Sequence, residues 1–202
     1  MDRTRGKTSG EASTIGATGW SPMPGPLAAV LILGFAIILW PLATHGPHIG
    51  PEGSAVLSFL HDINLVFHEA GHVLFGPFGR TLTILGGSLM QLLVPLAVAI
   101  SFLKRRDAAG FAVGGFWFFE NFVDLGVYIA DARALALPLI HNLGPESHDW
   151  HNLLRGWGLL RWDTAIATAS NAIGGLGMTW AVVFVVWRYT RYRKDVVPCR
   201  MD

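Results

Sequence analysis

The chain has 202 residues, of which 51% are hydrophobic and 14% charged, against about 25% charged in an average soluble domain. A net charge of +1 excludes the basic field of a nucleic-acid binder. The single cysteine, Cys199 in a polar tail, excludes an internal disulfide framework and any cysteine-rich metal site.

The apolar residues are gathered into long blocks, the pattern of a chain dissolved in lipid. Residues 1–26, rich in Gly, Ser, Thr and Pro, read as a disordered N-terminal tail. The run 27–43 predicts a first span or signal anchor closed by Pro41. After a turn-rich loop, Ser54 is an N-cap candidate for a helix ending near Phe75, before Gly76 and Pro77. This second segment carries His61, Asp62, Asn64, His68, Glu69 and His72. Residues 78–87 alternate polar and apolar between glycines, which predicts a short extended segment or a helix start. Residues 88–103 form a third span, stopped by the charged cluster Lys104 to Asp107.

A fourth span covers about 108–136, ahead of Pro138. Residues 139–162 read as a polar, aromatic loop holding His141, Glu146, His148, Asp149, Trp150 and His151, and residues 164–187 as a fifth span. The expected architecture is therefore all-α and polytopic, with about five transmembrane helices in a membrane-embedded domain over 27–190 and a basic C-terminal tail over 191–202. Lys and Arg divide evenly between the alternate compartments, so they set no orientation.

The segment F-H-E-A-G-H at 67–72 carries chemistry. Positions four apart share a helix face, so His68 and His72 can aim two imidazoles at one metal ion. One catalytic Zn2+ suits two neutral imidazoles and a carboxylate, with a fourth position left for water. Glu69, beside the first ligand, is placed to take that water's proton as general base. H-E-x-x-H also arises by chance, but two histidines and a glutamate inside a membrane segment are costly unless they face a partner or a water-filled cavity.

This motif inside an apolar helix resembles the intramembrane site-2 protease family of zinc metallopeptidases, and the following G-R-T-L-T-I-L-G-G is similar to the extended segment those proteins place after their zinc helix. The resemblance implies cleavage of transmembrane substrates within the bilayer and an aspartate two spans later as third ligand. The family's N-P-x-x-x-x-D-G type motif is absent, so that aspartate does not transfer by motif.

Asn121, Asp124, Tyr128 and Asp131 recur at spacings of three, four and three, along one face of the fourth span. Depth from the side where the zinc helix enters favours Asp124 as third ligand; depth from the exit side favours Asp131. Glu120 is a rival, and His148 and Asp149 lie in a loop that can fold over the site. Gln91 and Asn171 enter from the zinc helix's exit side, placed to meet a substrate oxyanion, to orient a ligand, or to hold helices together. His61, one heptad before His68, has the same choice between supporting a ligand and a structural bond. Gly174, Gly175 and Gly177 suit close helix packing. The function expected is a zinc-dependent membrane endopeptidase acting on membrane proteins or peptides, multi-pass in a plasma membrane or bacterial inner membrane. The alternatives are a non-catalytic membrane protein, or a metal transporter using His68, His72 and Asp124, although no transporter-like repeat is visible.

Overall fold

Proline and glycine set most of the helix ends. In the computed structural model, which describes residues 19–47, 54–137 and 144–196, helix α1 (Gly25–His45) carries Pro26 in its first turn, where a missing N–H costs nothing. Pro41 lies inside this helix, which continues to Gly46. Helix α2 (Ala55–Phe75) follows Ser54 and gives way to a 3-10 turn, Gly76–Phe78. Gly79, at φ +94°, then reverses the chain into α3 (Arg80–Lys104). Asp107 caps α4 (Ala108–Ala130), its side chain accepting from the Gly110 N–H at 3.0 Å. A short helix, α5 (Asp149–Gly156), precedes the long α6 (Asp163–Val196).

Every regular element among the described residues is helical, and the sequence expectation changes at several places. Residues 78–87 are not extended: they supply the end of the 3-10 turn and the first turns of α3. Thr83 fixes that start, its N–H bonding the Gly79 carbonyl at 2.9 Å and its hydroxyl the Gly79 and Gly76 carbonyls at 3.0 and 3.3 Å. Helix α4 stops at Ala130 rather than near Ala136, because the Asp131 carboxylate folds back on the chain, accepting from the Ala136 and Leu137 N–H groups at 2.9 and 3.1 Å. The polar loop holds α5, and α6 runs on to Val196 through the start of the expected basic tail. Residues 19–26, expected in the disordered tail, are packed. Met23 is fully buried, the Ser21 N–H bonds the Arg106 carbonyl at 2.8 Å, and Trp20 lies against Phe111 and Phe184. Cys199, His141 and residues 1–18 lie outside the described residues.

Helix α4 packs chiefly against α6 on one side and α3 on the other, and α2 lies along α3. Helix α1 closes the far edge, where Phe35 stacks on Phe116 with ring centroids 4.1 Å apart, over Ala112, Met178, Ala181 and Val185. The α2–α3 approach is close because it is made by glycines: a Cβ on Gly71 would run into the Gly86 carbonyl, and one on Gly86 into Phe75.

Three helices are long and apolar enough to cross a membrane: α1, α3 and the helix that begins at Leu160 and continues through α6. Of the apolar stretch of α1 only 11% is buried within the protein, and Val30, Leu33 and Trp40 are each more than 60% exposed. Such surface needs an apolar solvent. Helices α2 and α4 are of comparable length, 21 and 23 residues, but carry the polar side chains.

The glycine contact gives a direct test. Gly86→Leu should lower the midpoint of thermal unfolding in detergent, at a cost of about 1–3 kcal/mol from overpacking, whereas Gly175→Leu, whose Cβ would meet nothing within 4 Å, should leave the melt close to that of the parent.

Candidate metal centre

On α2, His68 and His72 are neighbours one turn apart, with ring centroids 4.9 Å apart. His68 is buried and His72 half-buried. The tight turn after α2 sends α3 back alongside it, so that Thr83, Gly87 and Gln91, each four residues after the last, meet the two rings. His72 Nδ1 lies 2.8 Å from the Thr83 carbonyl oxygen, which can only accept, so this nitrogen carries the proton. His68 Nδ1 lies 2.9 Å from Gln91 Oε1. The amide is oriented by its other end: Gln91 Nε2 donates to Asp124 Oδ2 at 2.6 Å, which turns the carbonyl to His68 and assigns a proton to His68 Nδ1 too. Both neutral rings therefore present a bare Nε2 to the same point.

Asp149 completes that point. Its Oδ2 lies 2.9 Å from His68 Nε2 and 3.2 Å from His72 Nε2, and the three ligand atoms fall within 4.8 Å of one another. The carboxylate is brought there by α5. Tyr128 Oη on α4 accepts from the Asp149 N–H at 3.0 Å, His148 caps α5 through Nδ1, and His151 Nδ1 donates to the Ala132 carbonyl at 2.7 Å. Leu153 and Leu154 are buried beneath, Leu154 against Leu125, Ile129 and Ala167. Burial acts to raise the Asp149 carboxyl, but its bonds to the two imidazoles prevail and hold it below the ordinary carboxylate range. At His148, burial prevails over the neighbouring Asp131 and lowers the imidazole.

Three electron-rich atoms thus face one another and require positive charge between them, supplied by extra protons on the imidazoles or by one cation. The space exists. A Cβ on Gly87 would stand 2.5 Å from His68 Nε2 and 2.7 Å from His72 Nε2, so only glycine leaves the mouth of the two rings open. Two imidazoles and a carboxylate, with both Nδ1–H groups already engaged, are the donor set and the outer support that a catalytic zinc or a similar divalent ion takes. The residues fit such an ion.

The structure brings together His68, His72 and Asp149, the last one of the loop alternatives; neither Asp124 nor Asp131 reaches the rings. Asp124 is occupied by three donors: Gln91 Nε2, His61 Nδ1 at 2.8 Å and Asn64 Nδ2 at 3.3 Å. Asp131 closes the chain turn after α4, and Arg133, two residues on, pairs with Asp163 at 2.7 Å. Glu120 accepts from Asn64 at 3.0 Å. His148 Nε2 stands 3.3 Å from Asp131 Oδ2 without an aligned hydrogen bond. Asn171 packs against Gly126, away from the rings. Glu69 stands exposed next to His68, close enough for its charge to reach His72 and Tyr128. Sequence reasoning did not single out Thr83 or Gly87, whose only signal is their register on α3 opposite the histidines. Compared with family models, curated proteins and solved structures, the chain matches none.

Removing a ligand should exceed the roughly 10–100-fold loss of metal affinity typical of losing an outer partner. Asp149→Ala and His72→Ala should each do so in a chelator competition with zinc, while Asp131→Asn should bind as the parent does.

Proposed function

We propose that this chain is a multi-pass integral membrane protein of a plasma or bacterial inner membrane. In this reading His68, His72 and Asp149 hold one Zn2+, and the protein hydrolyses peptide bonds of membrane-associated protein or peptide substrates. The observation that carries the reading is the convergence of two bare Nε2 atoms and one carboxylate oxygen on a single point that a glycine keeps open. At about 1.5 Å per residue, α2 and α4 are long enough to cross a hydrocarbon core of about 30 Å. Their place against the apolar α3 and α6 supports five crossings, with α5 folded back between the fourth and the fifth.

A zinc ion bound there would supply Lewis acidity, polarising a substrate carbonyl and making water acidic near neutral pH. The protein's own part is to place and to exclude. His68 and His72 are locked by Gln91 and Thr83, so little reorganisation is needed on binding. Glu69 carries no other duty among the described residues and stands beside the first ligand, as a general base for water and then a proton donor to the leaving nitrogen must. Tyr128 accepts from the Asp149 N–H and its hydroxyl also bonds the Asp149 side chain, so it holds that carboxylate in place. His68 is buried, whereas His72 is half-buried and Glu69 exposed, so substrate would approach from the side of the latter two.

A second reading, ion transit, draws on the polar groups that continue from the site between α2 and α4, namely Gln91, Asp124, Asn64, Glu120 and His61. In proteoliposomes holding single-span reporter peptides, the protease reading expects Glu69→Gln to abolish cleavage while bound zinc stays at the parent's level. Undiminished cleavage by the variant rejects it, and zinc flux without peptide hydrolysis favours transit. Metal should also leave as pH falls, because protons compete with it for the imidazole nitrogens; atomic absorption after dialysis against a descending pH series checks this.

A further inference from the structure

Asp124 is a buried carboxylate that the metal centre does not use as a ligand, and the mechanism gives it no task. It accepts from Gln91 Nε2 at 2.6 Å, from His61 Nδ1 at 2.8 Å and from Asn64 Nδ2 at 3.3 Å. Asn64 is itself fixed by Glu120 Oε2 at 3.0 Å and by Trp117 Nε1, which donates to Asn64 Oδ1 at 2.9 Å. Every one of these side chains except His61 and Trp117 is less than 7% exposed. A glutamine amide is otherwise free to turn over, and with it turned its NH2 would face His68 Nδ1. That would move the ring proton to Nε2 and remove a ligand lone pair.

Resting on the metal reading above, we propose that Asp124 and Gln91 act as a pair of positioning residues. Asp124 fixes which end of the Gln91 amide faces His68, and so keeps His68 Nε2 bare for the ion. The carboxylate is an unambiguous acceptor, and the amide passes that polarity on, since accepting at one end leaves only donation at the other. Charge on Asp124 strengthens the first bond, and the Gln91 carbonyl in turn makes His68 a better donor to the metal. The aspartate on the fourth span thus acts two bonds away from the ion.

The proposal predicts a swap. Gln91→Leu, which removes the acceptor, should weaken zinc and cobalt(II) binding to the full-length protein in detergent by roughly 10–100-fold. Gln91→Glu alone sets a carboxylate against Asp124 and should be comparably impaired. Gln91→Glu combined with Asp124→Asn restores the sense of the chain: the new amide donates where Oδ2 accepted, still accepts from His61 through its oxygen, and the new carboxylate accepts from His68 Nδ1. Only the long 3.3 Å bond from Asn64 Nδ2, which keeps its bond to Glu120, is given up. The double variant should recover affinity to within a few-fold of the parent and show the parent's cobalt(II) visible spectrum. A pair that merely packs the helices has no reason to be rescued by reversed polarity. A Gln91→Leu protein that folds and binds within twofold of the parent overturns the proposal, as does a double variant no tighter than Gln91→Glu alone; the second comparison stands if Gln91→Leu does not fold. A parent that takes up neither metal overturns the metal reading itself, an outcome separate from equal binding by loaded variants.

Discussion

Two imidazoles on adjacent turns can share a cation only if neither spends its proton on the other, and here an outside acceptor takes each proton. The Thr83 carbonyl has no alternative to accepting, and Gln91 is denied one by Asp124. Once both Nδ1–H groups are committed, the Nε2 lone pairs and the Asp149 carboxylate are left facing one another at 2.9 and 3.2 Å. In an aqueous loop such a meeting would relax by rotation into solvent. On a helix packed against another through glycine, the rings have nowhere to turn, and the unfavourable convergence is retained as a site.

The cost of polar side chains away from water explains the shape of the rest. Between α2, α3 and α4 the polar side chains of His61, Asn64, Gln91, Glu120 and Asp124 join into one hydrogen-bonded network. A partly satisfied network in low dielectric would be worse than an apolar core, and Asp124 is held within it by three donors. The carboxylate that meets the two imidazoles, Asp149, comes from outside the row of long helices. It arrives on α5, anchored by a backbone N–H to Tyr128 and by buried leucines.

How much of this could be read in advance follows from which interactions are local. The pairing of His68 with His72 is a property of helical spacing, and the helical, lipid-suited character of the chain follows from its apolar blocks. Asp149 is 77 residues beyond His72 by number, and its arrival depends on the bend at Asp131, the cap at His148 and one bond to Tyr128; no periodicity encodes those. The depth argument favoured Asp124 and Asp131, but Asp124 meets His61 and Asn64, and Tyr128, which lies between the two aspartates, is what faces His68. Depth also does not say which lone pairs are already taken. The alternation over 78–87 was ambiguous for a similar reason: T-L-T-I-L suits a strand or a helix, and Gly79 with the Thr83 bonds decides it by beginning a helix immediately after the reversal.

The register of that reversal ties the fold to the site. Because α3 returns antiparallel to α2 after a short turn, residues at falling positions on one helix meet rising positions on the other: Phe75 and Gly71 with Gly86, His72 with Thr83, His68 with Gln91. The ladder places Gly87 between the two acceptors, at the height of the two bare nitrogens. A turn longer by one residue would rotate α3 by about 100° relative to this face, and would carry Thr83, Gly87 and Gln91 away together while leaving F-H-E-A-G-H intact. The motif is therefore necessary for the centre but not sufficient for it. What turns two histidines into a candidate metal site is the length of the G-P-F-G turn and the absence of three side chains, at Gly71, Gly86 and Gly87.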